Sequence, residues 1–383
     1  MRTNSYIEIS RSALENNYTF LRELVKEGVQ ISSVVKGNAY GHGISCFVPL
    51  AEKCGMRHFS TFSADEAYQV AKSLTKDSTI LIMGMLDNDQ LEWAIQNDIE
   101  FFVFERDRLV HAIKVARKIH KKAIVHLELE TGMNRTGIYP EDIESILDII
   151  QEHNDAVEFK GLCTHFAGAE SIANYYRIKR QKVNFLRAIR SLEKNKMRPE
   201  LVHAACSAAT VRYPETHFDM VRLGILQYGF WPTREVQIEY FKQDDEVSNP
   251  LRRLISWKTE VMDVRRVAKG EYIGYGTSYL ANNPMTVAAI PVGYSHGFSR
   301  SLSNQGRVLI HGQRVAVVGM VNMNMMLVDV SRIPHVHKGD EVVLIGRQGD
   351  MEISVSSFAE FSDQVNYEML TRLPSGIPRV VVE

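Results

Sequence analysis

Short apolar runs alternate with longer polar-apolar stretches over the first part of the chain. The runs ISSVV (31–35), RHFSTF (57–62), TILIMG (79–84), IEFFVF (99–104), AIVHLEL (123–129), FKGLCTH (159–165), ELVHAA (200–205) and MVRLG (220–224) have strand length. They are rich in β-branched and aromatic residues and read as buried strands. Between them lie segments of helical period, such as DRLVHAIKVARKIHKK and PEDIESILDIIQEH. The second opens on Pro140 with acids in its first turn, a helix start. Eight such strand-then-helix units predict a (β/α)8 barrel over residues 10–240.

The pattern changes after QYGFWP (227–232). Residues 233–250 are polar and charged and read as a linker. Beyond them come alternating strands with Gly turns: ISWKTEVMDVRRV, MTVAAIPV, RVLIHG, RVAVVGMVNMNMMLVDV and DEVVLIG. A short helix over SVSSFAEFSDQV and a last strand, IPRVVVE, complete a β-rich domain at 241–383. The lone N-terminal strand within residues 1–9 is expected to join that domain. The fold class is therefore α/β, a barrel followed by a mostly β domain.

Composition narrows the function. The chain has 383 residues, 45% hydrophobic and 24% charged, with a net charge of −1. No basic footprint for nucleic acid or an anionic membrane is present. The four cysteines, Cys46, Cys54, Cys163 and Cys206, have neither metal nor redox spacing. The start MRTNSYIEIS has no apolar core of a signal peptide, and no apolar run has membrane-spanning length. These features predict a cytoplasmic protein.

The segment SSVVKGNAYGHG (32–43) carries the chemistry. A β-branched run ends at Lys36 and a Gly-rich loop follows, so an amine stands at the C-terminal end of a barrel strand, where barrels build their sites. Desolvation there lowers a lysine pKa and lets the amine attack a carbonyl. The cofactor most often held in this way is pyridoxal phosphate, PLP. Strand seven runs into Cys206-Ser207-Ala208-Ala209 and strand eight into Arg222-Leu223-Gly224-Ile225. Small residues at those turns suit an anion. A competing reading takes His126, Glu128, His165 and His203, near strand ends, as ligands of a metal-dependent hydrolase.

SVVKGNAYGHG, ETGMNRTG, THFAGAE, CSAAT, VRLGILQYG, YIGYGTSY, IPVGYSHGFSR, VGMVNMNMMLVDV and VNYEMLTRLPSGIPRV resemble, in order, motifs of the alanine racemase family of fold-type III PLP enzymes. The resemblance spans almost the whole chain. It implies that Lys36 carries the cofactor as a Schiff base and is one base, and that Tyr275 is the other. A racemase needs acid/base groups on both faces of a planar carbanion. A phenol is a weak base near pH 7, so that position needs activation or a relay partner. The resemblance further implies that His165 links to the tyrosine network and that Arg222 bonds the pyridine nitrogen. An arginine cannot protonate that nitrogen. Tyr40, Ser207, Gly224, Ile225 and Tyr367 match the phosphate-binding set. Arg135 and the Met323 backbone match the substrate carboxylate contacts, and Tyr294 matches an aromatic at the substrate entrance.

Three positions depart from the family pattern. Glu128 stands where many members have a carbamylated lysine, and is expected to replace that anion and hold Arg135 directly. Cys206 replaces an asparagine, and Asn324 an aspartate. These departures leave a serine-preferring or broader racemase as the alternative to alanine. The resemblance also implies a homodimer whose two chains share each site, no metal, and a role in supplying D-alanine for peptidoglycan.

Overall fold

A computed structural model describes residues 5–242, 248–355, 357 and 366–383. Ser5–Ser10 forms β1. The barrel strands follow: β2 (Gln30–Val34), β3 (His58–Thr61), β4 (Thr79–Ile82), β5 (Glu100–Val103), β6 (Ala123–Glu128), β7 (Val157–Cys163), β8 (Leu201–Cys206) and β9 (Met220–Leu223). They pair in parallel and in chain order, and β9 closes on β2. All eight coincide with the expected runs to within a few residues. β3, β5 and β9 are buried at every position, as strands covered on both faces must be. Leu81, Phe102, Cys163, Leu201 and Met220 pack together in this unit's core.

Helices alternate with the strands. Ser63 caps the helix Ala64–Ser73 by accepting from the Glu66 N–H. The period read in DRLVHAIKVARKIHKK forms the helix Arg106–Ile119. PEDIESILDIIQEH begins as one 3-10 turn, Pro140–Asp142, and continues as the helix Ile143–Glu152. The expected linker is different in the structure. Arg234–Phe241 is a helix, capped by Thr233. Its Tyr240 ring packs edge-on against Phe20 and lies tilted on Trp231, 5.0 Å between centroids. Polar composition concealed a helix anchored by Tyr240, Phe241 and the buried Val236.

The β-rich unit contains β10 (Ile255–Glu260), β11 (Asp263–Val267), β12 (Met285–Ile290), β13 (Arg307–Ile310), β14 (Gln313–Val318), β15 (Met326–Asp329), β16 (Glu341–Gln348), β17 (Met351–Ile353) and β18 (Arg379–Val382). The sheet order is β11-β12-β15-β14-β13-β16-β10-β1-β18, with β17 on β16. β1 lies antiparallel to β10 and parallel to β18. Trp257 is fully buried here, its Nε1 donating to Ser5 Oγ at 2.8 Å. The run RVAVVGMVNMNMMLVDV is two strands rather than one, because Gly319 turns the backbone at φ +77°. The helix expected over SVSSFAEFSDQV falls largely outside the described residues.

Contacts divide the chain into Ser12–Lys36 with Val48–Arg253, and Met1–Arg11 with Gly37–Phe47 and Leu254–Glu383. This differs from a single cut at 240/241. The loop 37–47 groups with the β-rich unit, and the segment up to Arg253 groups with the barrel. The loop's own bonds explain its grouping. Arg379 donates to the Gly41 carbonyl from Nη2 at 2.8 Å and from Nε at 3.2 Å.

Candidate active site

Lys36 follows the end of β2, and that strand end is pinned by buried polar groups. The Gln227 carboxamide oxygen accepts from Tyr18 Oη and from Ser33 Oγ, both at 2.8 Å. Its amide nitrogen and the Tyr228 hydroxyl both donate to the Val34 carbonyl. The Val35 N–H donates to the Ser60 carbonyl. The backbone at Lys36 is thereby fixed by groups from β3 and from the turn after β9. Solvent reaches the lysine side chain, yet its pKa lies below the ordinary lysine value. Desolvation by the surrounding protein is the main cause, and the Arg135 and Arg222 guanidinium groups add repulsion.

Arg222, on β9, is buried and held rigidly. It donates from Nη2 to the Thr164 carbonyl at 2.9 Å and from Nη1 to His203 Nδ1. His165 follows β7. Desolvation and the Arg222, Arg135 and Lys36 charges push its pKa down to about 3, so its imidazole is neutral at working pH. Its carbonyl accepts from Gln181 Nε2, and Gln181 Oε1 accepts from the Ala167 N–H at 2.8 Å. Gln181, inside the helix Tyr175–Lys194, thus fixes the turn after β7.

Ser207 and Gly224 meet at the turns after β8 and β9. The Gly224 N–H donates to Ser207 Oγ at 2.9 Å, and Ile225 opens the 3-10 helix Ile225–Tyr228. All three are buried. A hydroxyl, a backbone N–H and a helix start converge there, a donor set suited to an anion.

The loop after β6 carries Glu128, Glu130 and Arg135. Glu130 folds it by accepting from the Asn134 N–H at 2.7 Å and from the Gly132 N–H. Glu128 is buried, and desolvation raises its carboxyl pKa. It hydrogen-bonds the Thr136 side chain and feels Arg135 only through the field. Among the described residues no ion pair joins Glu128 to Arg135, so the expected direct hold is not what the structure has. A glutamate carboxylate lies closer to its backbone than a carbamylated lysine would, and Thr136 takes its hydrogen bond.

The remaining expected residues belong to the β-rich unit. Tyr40 ends a left-handed turn in the loop 37–47. Tyr275 stands between Gly274 (φ +77°) and Gly276 (φ +70°) and is 75% exposed. Tyr294 and Met323 are exposed and share one knot: the Tyr294 N–H donates to the Asn322 carbonyl, and Ser295 Oγ donates to the Met323 carbonyl at 2.7 Å. Asn324 Nδ2 donates to the same Ser295 hydroxyl at 3.0 Å. The Tyr367 side chain lies outside the described residues. The barrel unit therefore gathers Lys36, Glu128, Arg135, His165, Ser207, Arg222, Gly224 and Ile225, while Tyr40, Tyr275, Tyr294 and Met323 are carried by the other unit.

His126 and His203 bond each other in the barrel core, Nδ1 to Nε2 at 2.9 Å, and His126 Nε2 reaches Glu100 Oε2 at 2.8 Å. Among the described residues no group of three or more His, Cys, Asp or Glu is arranged to hold a metal ion. No helix among them is long and apolar enough to cross a membrane. Glu100, Gln181 and Gln227 were not singled out from the sequence. For Glu100 a signal existed, a carboxylate opening the apolar run EFFVF.

The family described as alanine racemase, N-terminal domain, matches residues 9–232, and alanine racemase, C-terminal domain, matches residues 254–381. The alanine racemase of Leptospira interrogans is 32% identical over 99% of this chain and 96% of that protein. That of Halalkalibacterium halodurans is 34% identical over 98% and 95%. The crystal structure of alanine racemase from Bacillus anthracis with bound L-Ala-P has a TM-score of 0.90 and 30% identity, covering 100% of this chain and 96% of that one.

Proposed function

This chain belongs to the alanine racemase family, whose members interconvert L- and D-alanine with PLP, and we propose that Lys36 and Tyr275 are its two bases. The observation that carries the barrel half of this reading is the setting of Lys36. Its charged form is disfavoured at the mouth of a barrel strand, beside two guanidinium groups. A neutral amine is both the nucleophile that binds a carbonyl cofactor and the base that takes a Cα proton.

The residues present fit PLP. The Ser207 hydroxyl, held from behind by the Gly224 N–H, and the backbone N–H at Ile225 suit its phosphate, with Tyr40 and Tyr367 completing that set. Arg222 donates hydrogen bonds but does not release its proton, so it holds the ring nitrogen without protonating it. When bound, the cofactor supplies the electron sink that makes the Cα proton acidic. Arg135 and the Met323 amide hold the substrate carboxylate. Glu128 supplies negative charge beside Arg135, and Tyr294 narrows the entrance. His165 is neutral, so it can accept a hydrogen bond from the phenol of the second base.

Tyr275 on this chain faces solvent, as do Tyr272, Leu280, Tyr294, Met323 and Met325 of the same unit. A base that works on a desolvated carbanion needs cover. A second copy of the chain supplies it, making the homodimer the working unit.

The test is chiral product analysis. Wild type converts L-alanine to D-alanine. Lys36→Ala loses both the visible cofactor band and D-alanine formation. Tyr275→Phe keeps the band and loses turnover by about 100-fold or more, the scale of a missing general base. A Tyr275→Phe variant that racemises at the wild-type rate refutes the two-base assignment.

A further inference from the structure

A continuous line of buried polar side chains crosses the barrel core from Arg222 to Glu100. Arg222 Nη1 meets His203 Nδ1. His203 Nε2 meets His126 Nδ1 at 2.9 Å, and His126 Nε2 meets Glu100 Oε2 at 2.8 Å. From the other side, His58 Nε2 lies 3.4 Å from the same Glu100 oxygen. His58 Nδ1 lies 2.8 Å from Ser32 Oγ, which lies 2.6 Å from Ser60 Oγ. Each member is 7% exposed or less. Six different strands contribute: β2, β3, β5, β6, β8 and β9.

The two ends of the line have opposite and fixed characters. A guanidinium only donates, and an ionised carboxylate only accepts. Glu100 is ionised well into acid, its pKa held down to about 2 by the His126 and His58 hydrogen bonds against the cost of burial. A neutral imidazole has one N–H and one acceptor nitrogen. Burial favours neutral rings at His126 and His203. With Glu100 accepting, His126 must carry its proton on Nε2 and accept at Nδ1. His203 must then donate from Nε2, which leaves Nδ1 as the acceptor for Arg222. No other arrangement satisfies every bond.

We propose that Glu100, at the N-terminal end of β5 and away from the mouth, is a positioning residue for Arg222. It fixes the tautomers of His126 and His203, so that a lone pair and not an N–H faces the guanidinium. The significance for the cofactor rests on the assignment of Arg222 to the ring nitrogen. The space for the line is itself built in. A Cβ at Gly161 on β7 would overlap the His126 ring, and the β6–β7 register shifts between Val125 and His126.

The test uses histidine labelled with 15N in the full-length protein without added PLP. In wild type, His126 and His203 should each report a protonated Nε2 and a bare Nδ1. In Glu100→Gln the carboxamide can present either an oxygen or an NH2 group, so His126 and His203 should populate both tautomers. PLP affinity of the same variant, read by fluorescence titration, should fall about tenfold, as for other partners that orient a ligand from behind. After saturation with PLP, kcat should fall while KM for alanine stays within about twofold, because Arg222 does not touch the substrate carboxylate. Glu100→Asp, a shorter acceptor-only group, should restore single tautomers. A protonated Nδ1 on His126 or His203 in wild type overturns the proposal without any variant having to fold. So does a folded Glu100→Gln with wild-type tautomers and affinity. The tautomers are read before any cofactor is present. Failure of the racemase assignment would therefore show only in the chiral assay.

Discussion

At the scale of single residues, the chemistry depends on how each charge is surrounded. Lys36 is the clearest case, because its ammonium is partly stripped of water and the Arg135 and Arg222 charges repel it. The rate at which the cofactor-free protein captures PLP should rise with pH as the amine loses its proton. The midpoint should lie below 10.5, the ordinary lysine value. Stopped-flow absorbance across pH 6 to 11 checks this (the range is about that of lysine and histidine titration), and a midpoint at or above the ordinary value contradicts the setting described. Lys36 was legible in the sequence because a β-branched run stops abruptly at an amine and a glycine loop follows. Glu100 shows in the sequence only as a carboxylate opening an apolar run, with nothing to say what it holds. Its role exists only because His58 on β3, two strands away, and His126 on the adjacent β6 both reach it across the barrel core, and no spacing along the chain encodes that meeting. In the sequence Glu128 reads as an anion beside Arg135, while nothing along the chain marks the Thr136 side chain that takes its hydrogen bond.

At the scale of elements, the loop that follows Lys36 stands out. Gly37, Asn38, Ala39 and Tyr40 all have φ between +50° and +62°. The turn is closed by bonds from Gly41 N to the Gly37 carbonyl and from Gly43 N to the Asn38 carbonyl, both 2.9 Å. Gly41 is required twice over: its φ is +81°, and a Cβ there would fall on the Leu370 backbone carbonyl. Gly28 has the same φ of +81° with nothing within 4 Å of a Cβ. The pair separates strain from overlap. Gly28→Ala should cost about 1 kcal/mol, the conformational penalty alone. Gly41→Ala should cost more than that, by an amount set by displacement of backbone. Urea unfolding with an unchanged slope measures both, and equal costs would show that overlap is relieved cheaply. The alternation of apolar runs gave the eight barrel strands to within a few residues. It failed over 233–250, where the helix Arg234–Phe241 is secured by Tyr240 against residues distant in sequence.

For the whole molecule, acid stability follows from many buried neutral histidines. His42, His126, His165, His203 and His217 all have pKa values pushed below the ordinary 6.5, chiefly by desolvation. The unfolded chain binds protons at these positions that the folded chain refuses. Stability is therefore full above pH about 6.5 and falls as the pH drops below it. Glu100 adds a second loss in the same direction. Its folded pKa of about 2 lies under the ordinary 4.5, so its contribution fades as the pH falls from 4.5 toward 2. Urea midpoints taken from pH 8 down to about 3 should decline throughout the range below about 6.5. A flat profile down to pH 5 would mean that these rings are charged in the fold. The proposed dimer has its own test. Lys36→Ala and Tyr275→Phe homodimers should each be inactive, and unfolding and refolding them together should recover activity, because one of the two shared sites in a mixed dimer keeps both bases. No recovery would place both bases of a site on one chain.

The turn after Lys36 has one more consequence. Ala39, at φ +54° and ψ +49°, sits near the centre of the left-handed helical well. That well is the comfortable one for the mirror-image amino acid and a costly one for the L form. Glycine, which has no handedness, relieves the mismatch at positions 37, 41 and 43. Asn38, Ala39 and Tyr40 must bear it, so three consecutive L-residues hold the backbone shape native to their enantiomers.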